Sequence, residues 1–359
     1  MATSQDPTST LEEVTLGVEF EFMVDVEHTE EGVKLKEEYR GGAPPLSLLR
    51  VCAGDFVKEF LDNACLAHPV DVSVRMGDPK LPKAPSEVAC TSWIVKYDAS
   101  AVADRECTKV VHVLDALKNM EYVKFDNTCG LHVHVGRGTQ GFPLKALQKL
   151  GSLLFLGGEE VIDQLHPPHR IDDIYFESLR SSSRLILMTP IFEASFSEIE
   201  PDGWLEHCCL DIFPDLDDRV KLWVTLLWKT QTVDEFCFLI SDDSNYHLAY
   251  SLKGLESIPL NGLETRKTIE FRQAEGDLTD QRFVLGWIDV VSRLMAWAVD
   301  VEEHDFETVV KEVVGSVLAR EDAGIMVQKL LRSIGVSDHV ISIMVNRARR
   351  MTTVKAGTT

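Results

Sequence analysis

Residues 14–26 read VTLGVEFEFMVDV, an apolar–polar alternation of period two that is rich in β-formers and predicts a strand. Successive side chains of a strand point to opposite faces. Glu19 and Glu21 therefore share one face, and Val18, Phe20 and Phe22 take the other. The arrangement recurs twice. LHVHV at 131–135 presents His132 and His134 between apolar neighbours, and TIEFRQ at 268–273 presents Glu270 and Arg272 in the same way.

Any one such pair is as well explained by the solvated outer face of an antiparallel strand as by a site. Three pairs shift the balance. A solvated strand would show Lys, Thr and Ser, whereas these pairs are built only from Glu, His and Arg beside large apolar residues. On one sheet they would line a polar cavity. Its three carboxylates and two imidazoles suit Mg²⁺ or Mn²⁺ bridging phosphates better than a closed tetrahedral zinc site. Arg272 would add a planar, bidentate donor for phosphate oxygens. Carboxylates that face one another are costly unless a cation neutralises them, so the charges themselves imply the metal.

The rest of the chain predicts a mixed architecture. Further strand spacing covers 91–97, and helical spacing covers 44–64, 108–120, 143–165, 220–240, 280–299, 306–319 and 339–350. That order fits an α+β fold, a sheet covered by helices, and not a regular βαβ winding. No linker, repeat or low-complexity tract divides the sequence. The expected organisation is a disordered tail at 1–13, a catalytic domain over 14–300, helices packed on it over 301–350, and a disordered tail at 351–359.

With 36 basic and 58 acidic residues the net charge is −22, so the surface as a whole repels nucleic acid and anionic membranes. No apolar run reaches the roughly 18 residues of a membrane helix. The first residues lack the apolar stretch of a signal peptide, and eight scattered cysteines without a C-x-x-C pair suit a reducing compartment. A cytoplasmic protein acting on small-molecule or peptide substrates is expected.

GVEFEF (17–22), CGLHVHVG (129–136) and TIEFRQAEGDL (268–278), in this order, resemble the amidoligase family of glutamine synthetase-like carboxylate-amine ligases, and HPPHR (166–170) resembles its fungal branch. The resemblance runs from about residue 16 to about residue 299. It implies a curved antiparallel sheet backed by helices, and an ATP-dependent ligase that activates a carboxylate as an acyl phosphate for an amine to attack. By that resemblance Glu19, Glu21, His132 and Glu270 would hold Mg²⁺ or Mn²⁺, while His134 and Arg272 would contact the ATP phosphates. Glu19, Glu21, Glu270 and Arg272 would then be the catalytic set. Phosphoryl transfer needs charge neutralisation and alignment more than covalent help, which agrees with this set.

Asp98 and Ser100 (YDAS) resemble an Asp-x-Ser segment of the family that would help bind the amine; simple turn chemistry explains the same residues. Arg170 stands at a helix end closed by Pro167 and Pro168, where a cation suits the dipole, and a substrate contact is its alternative role. The chain also departs from the family. Gly276, Asp277, Leu278 and Thr279 stand where Gly-Thr-Leu-Asp is usual, no Glu-x-x-Ser-Pro lies between Ser100 and Cys107, and Ser251 replaces a frequent asparagine.

Those departures motivate one rival, a catalytically reduced relative that binds a partner. A second rival is a metal hydrolase in which Cys129, His132 and His134 hold zinc and Glu19 or Glu21 acts as base. Gly136, Gly138 and Gly141 form G-x-G-x-x-G after a strand, but a dinucleotide fold wants an apolar strand there and an acidic residue about twenty positions on, and both are missing.

Overall fold

The computed structural model describes residues 14–25, 75–76, 87–91, 97–98, 107–120, 123–125, 129–171, 177–190, 216–241, 248–257, 267–276 and 279–357. The expected helix at 44–64 lies outside them. The chain divides into two compact units, one drawn from 15–134 and 274–285 and the other from 135–273 and 286–359.

In the first unit the opening stretch forms two strands where one was expected. β1 (Thr15–Phe20) and β2 (Phe22–Asp25) are separated at Glu21 and enter different sheets. The break coincides with a tertiary contact: the Glu21 N–H donates to the Gly130 carbonyl at 2.9 Å. β3 (Arg75–Met76) and β4 (Glu87–Thr91) follow, and β4 pairs antiparallel with both β3 and β2. β5 (Tyr97–Asp98) pairs antiparallel with β1, setting Asp98 opposite Thr15. The strand expected over 91–97 is thus met only at its ends; 92–96 lie outside the described residues. Helix α1 (Cys107–Asn119) agrees with its reading, β6 (Val123–Lys124) pairs with β2, and β7 (Gly130–Gly136) lies beside β1.

β1 and β7 bury their apolar alternates completely: Val18, Phe20, Leu131 and Val133 are each 0% exposed. Side chains of this size stabilise by about 1.5–3 kcal/mol each when fully removed from water.

The second unit is mostly helical. The helix expected over 143–165 is instead α2 (Leu144–Leu153), a π turn (Leu154–Gly158), α3 (Glu159–Ile162) and a 3₁₀ turn (Asp163–Leu165). Gly157, at φ 134°, causes the kink, since side chains rarely adopt that conformation. Short helices α4 (Pro168–Ile171), α5 (Leu179–Ser182) and α6 (Arg184–Leu187) come next. The helix expected over 220–240 is likewise two, α7 (Asp218–Lys229) and α8 (Val233–Ile240). Thr232 caps α8 by accepting from the Glu235 N–H at 3.2 Å, and Glu235 Oε2 accepts from the Gln231 N–H at 2.6 Å. This Thr-x-x-Glu start is legible in the sequence and outcompetes continued helix.

β8 (Tyr250–Ser251) pairs antiparallel with β9 (Thr268–Glu275), Tyr250 opposite Phe271 and Ser251 opposite Glu270. Four helices close the chain: α9 (Gln281–Asp300), α10 (Glu303–Leu318), α11 (Ala323–Ser333) and α12 (Asp338–Gly357). α11 was not expected; Asp322 caps it by accepting from the Gly324 N–H at 3.0 Å. α12 continues to Gly357 where a disordered tail was expected from 351, and Lys355 Nζ anchors it by donating to the Asp163 carbonyl at 3.3 Å. Antiparallel sheets with helices agree with the α+β expectation. Among the described residues no helix is long and apolar enough to cross a membrane.

Candidate metal and phosphate site

In the first unit β1 and β7 bring together the two strand pairs that the sequence singled out. His134 Nε2 stands 3.1 Å from Glu19 Oε1. His132 lies between the two acids, its Nδ1 3.8 Å from Glu19 Oε2 and its Nε2 3.7 Å from Glu21 Oε1. Glu19 and Glu21 therefore reach one histidine from two sides even though a strand break separates them.

All four groups are withdrawn from solvent. His132 and His134 are 3% and 8% exposed, and the Glu19 and Glu21 side chains keep 14% and 21% of their surface. The solvated-face account of the histidines is excluded by this burial. Burial by itself raises the Glu19 pKa; hydrogen bonding and charge from His132 and His134 outweigh it and hold the carboxyl well below the usual carboxylate range. Both imidazoles act through hydrogen bonding and charge, and His134, at 3.1 Å, makes the shorter of the two ion-pair contacts.

An ionised, largely buried carboxylate with a second acid and two imidazoles around it is a donor set of oxygens and nitrogens. It fits a divalent cation in character. Cys129 is a buried thiol outside any disulfide at the foot of β7, where its carbonyl accepts from the Gly276 N–H at 2.9 Å.

In the second unit β9 carries the third pair. Its burial alternates, with Ile269, Phe271 and Gln273 buried on one face and Glu270 and Arg272 partly open on the other. Arg272 Nε stands 3.4 Å from Glu270 Oε1, the two side chains 16% and 19% exposed. Arg272 is therefore partnered on a sheltered strand face, not at a solvated edge.

Behind β9, Arg170 is 1% exposed and donates from Nη2 to the Arg272 carbonyl at 2.8 Å. It lines a small, water-sized cavity with Glu159, Asp163, Ile171, Ser178, Ala249 and Gln273. Gln273 was not singled out from the sequence, though a glutamine at an apolar-face position of TIEFRQ is a readable signal. Glu159 in this cavity accepts from Ser178 Oγ at 2.6 Å and from the Leu179 N–H at 2.9 Å, and burial raises its pKa.

Of the remaining candidates, Asp98 has its backbone in β5, and Ser100, Asp277 and Leu278 lie outside the described residues. The glycines after β7 serve a turn: Gly138 and Gly141 take φ 53° and 74°, and Lys267 Nζ donates to the Thr139 carbonyl there at 2.6 Å.

No family model matches the chain, and no curated protein matches it. Among solved structures it is similar to a novel glutamine synthase homolog, at 13% identity and TM-score 0.38 over 98% of this chain and 72% of that one. It is also similar to a bifunctional glutathione synthetase from Pasteurella multocida, at 11% identity and TM-score 0.39 over 96% of this chain and 48% of that one. At these scores the likeness assigns neither activity nor ligand.

Proposed function

We propose that the chain is an ATP-dependent ligase that forms an amide from a carboxylic acid and an amine. The observation that carries this reading is the buried Glu19–His132–His134–Glu21 group, in which Glu19 is held ionised between two imidazoles. A buried anion of this kind is prepared to receive a cation, and a metal-bound triphosphate is the anionic ligand that a chain of net charge −22 needs a cation to attract. The ordered resemblance of GVEFEF, CGLHVHVG and TIEFRQ to the amidoligase family points the same way.

In this reading Glu19, Glu21, His132 and Glu270 would hold Mg²⁺ or Mn²⁺, and His134 and Arg272 would take the phosphate oxygens. When bound, the cation would supply charge neutralisation for phosphoryl transfer. The chain's own residues align. Arg272 presents a planar fork whose tilt is limited by Glu270, and His132 and His134 keep their faces fixed because β7 is buried throughout. A substrate carboxylate oxygen attacks the γ-phosphorus, ADP leaves, and an acyl phosphate forms. The amine nitrogen then attacks the acyl carbon, phosphate leaves with the C–O electron pair, and the nitrogen loses a proton.

The test is ADP release screened against carboxylic acids with mixed amines, with mass spectrometry of the products. Amide formed in step with ADP, only when acid, amine, ATP and Mg²⁺ are all present, supports the reading. Hydrolysis that proceeds without nucleotide, or Mg–ATP that does not bind, overturns it.

A further inference from the structure

In an antiparallel pair the directly opposed hydrogen-bonded residues exchange two bonds, each N–H meeting the other's carbonyl. Tyr250 opposite Phe271 and Ser251 opposite Glu270 set a register that puts Ala249 opposite Arg272. Half of that exchange is made: the Arg272 N–H donates to the Ala249 carbonyl at 3.0 Å. The other half is not, because the Ala249 N–H turns away to the Glu177 carbonyl at 3.0 Å, where Glu177 and Leu248 form an isolated bridge. The Arg272 carbonyl thus loses its strand donor at the residue whose side chain lies beside Glu270.

Arg170 supplies the replacement, its Nη2 donating to that carbonyl at 2.8 Å from α4. A guanidinium left 1% exposed is costly to bury, so the backbone bond that it makes to residue 272 stands at a place where position matters. Glu159 and Asp163 line the same cavity, and Pro167 and Pro168 restrict the backbone that presents Arg170.

We propose that Arg170 is a positioning residue, a side-chain substitute for a missing strand bond that holds the β9 backbone at residue 272 and so aims Arg272 and Glu270. This rests on the reading of Arg272 as a phosphate ligand. Arg170 itself touches no substrate; it sets the height and tilt of a guanidinium that does.

The experiment is calorimetric titration of the full chain with Mg–ATP. Arg170→Met keeps the apolar stem and removes every donor, and it should weaken Mg–ATP binding on the order of tenfold, with Arg170→Lys recovering most of the loss. Should Arg170→Met not fold, Arg170→Gln takes its place with the same expected loss. Leu330→Ala, a truncation in the α11 core, serves as the stability control and should leave Mg–ATP affinity unchanged. Wild-type affinity in Arg170→Met or Arg170→Gln, with Arg272→Lys impaired, sinks the positioning role and leaves the ligase reading standing. Equal losses in the Leu330→Ala control also sink it. Absence of Mg–ATP binding to the wild type brings down the ligase reading and this inference together.

Discussion

His134 Nε2 lies 3.1 Å from Glu19 Oε1, a contact that joins β7 to β1. A carboxyl as buried as Glu19 would ordinarily drift toward its neutral form, yet the neighbouring imidazoles keep it ionised.

Metal dependence follows. Without a cation the ionised Glu19, with Glu21 near it, repels a triphosphate, so calorimetry should show ATP binding with Mg²⁺ or Mn²⁺ and a loss of at least tenfold in excess EDTA. Glu21→Gln and Glu270→Gln should melt within about 0.5–1 kcal/mol of wild type, since both side chains are partly exposed and neither fills the core. Both should lose turnover. Wild-type turnover in either variant removes that residue from the set.

Arg272→Lys is expected to be damaging although it keeps the charge. Lysine lacks the planar fork that grips two phosphate oxygens, and loss of one preorganised donor commonly costs on the order of a hundredfold in turnover. Its pairing with Glu270 at 3.4 Å survives as a lysine contact, so the melting temperature should barely move. Unchanged turnover would remove Arg272 from phosphate binding.

Acid should destabilise the fold through His166. Burial first, and then the charges of Arg347, Arg170 and Lys355, hold its pKa well below the usual histidine value, so the folded state keeps the ring neutral. The unfolded chain binds a proton near pH 6.5 that the folded chain refuses. The stabilisation is therefore complete above that pH and is lost below it at up to about 1.4 kcal/mol per pH unit, until the folded pKa is reached. Denaturant melts at pH 7.5 and 5.5 should show this slope in wild type and a shallower one in His166→Phe, which keeps an aromatic ring against Trp287. Equal slopes in the two proteins would refute the assignment.

Gly276→Ala should cost about 1–3 kcal/mol by overpacking. A Cβ there would lie 2.7 Å from Cys129 Cβ and 2.8 Å from the Cys129 carbonyl carbon, and main chain cannot step aside as a flexible side chain would. The Gly276–Cys129 hydrogen bond at 2.9 Å, at the foot of β7, would be strained. A melting temperature equal to wild type would show that the backbone gives.

Period-two alternation in residues 14–26, LHVHV and TIEFRQ determined which side chains share a face of each strand, because that rule depends only on neighbours along the chain. By the same local logic α1, α9 and α10 were legible to within a few residues, and the polar pairs identified themselves by standing among large apolar residues. Tertiary structure alone decided where strands stop and what their exposed backbone atoms meet. Glu21 leaves the strand where Gly130, far along the chain, takes its N–H, and Gly157 turns a helix that its flanking residues would continue. Arg170 reads locally as a cation at a helix end, yet its hydrogen bond is to Arg272, 102 residues away. Periodicity specifies a face, but the identity of a distant partner depends on which donors and acceptors the folded backbone leaves unmatched, and that is settled only when the strands have paired.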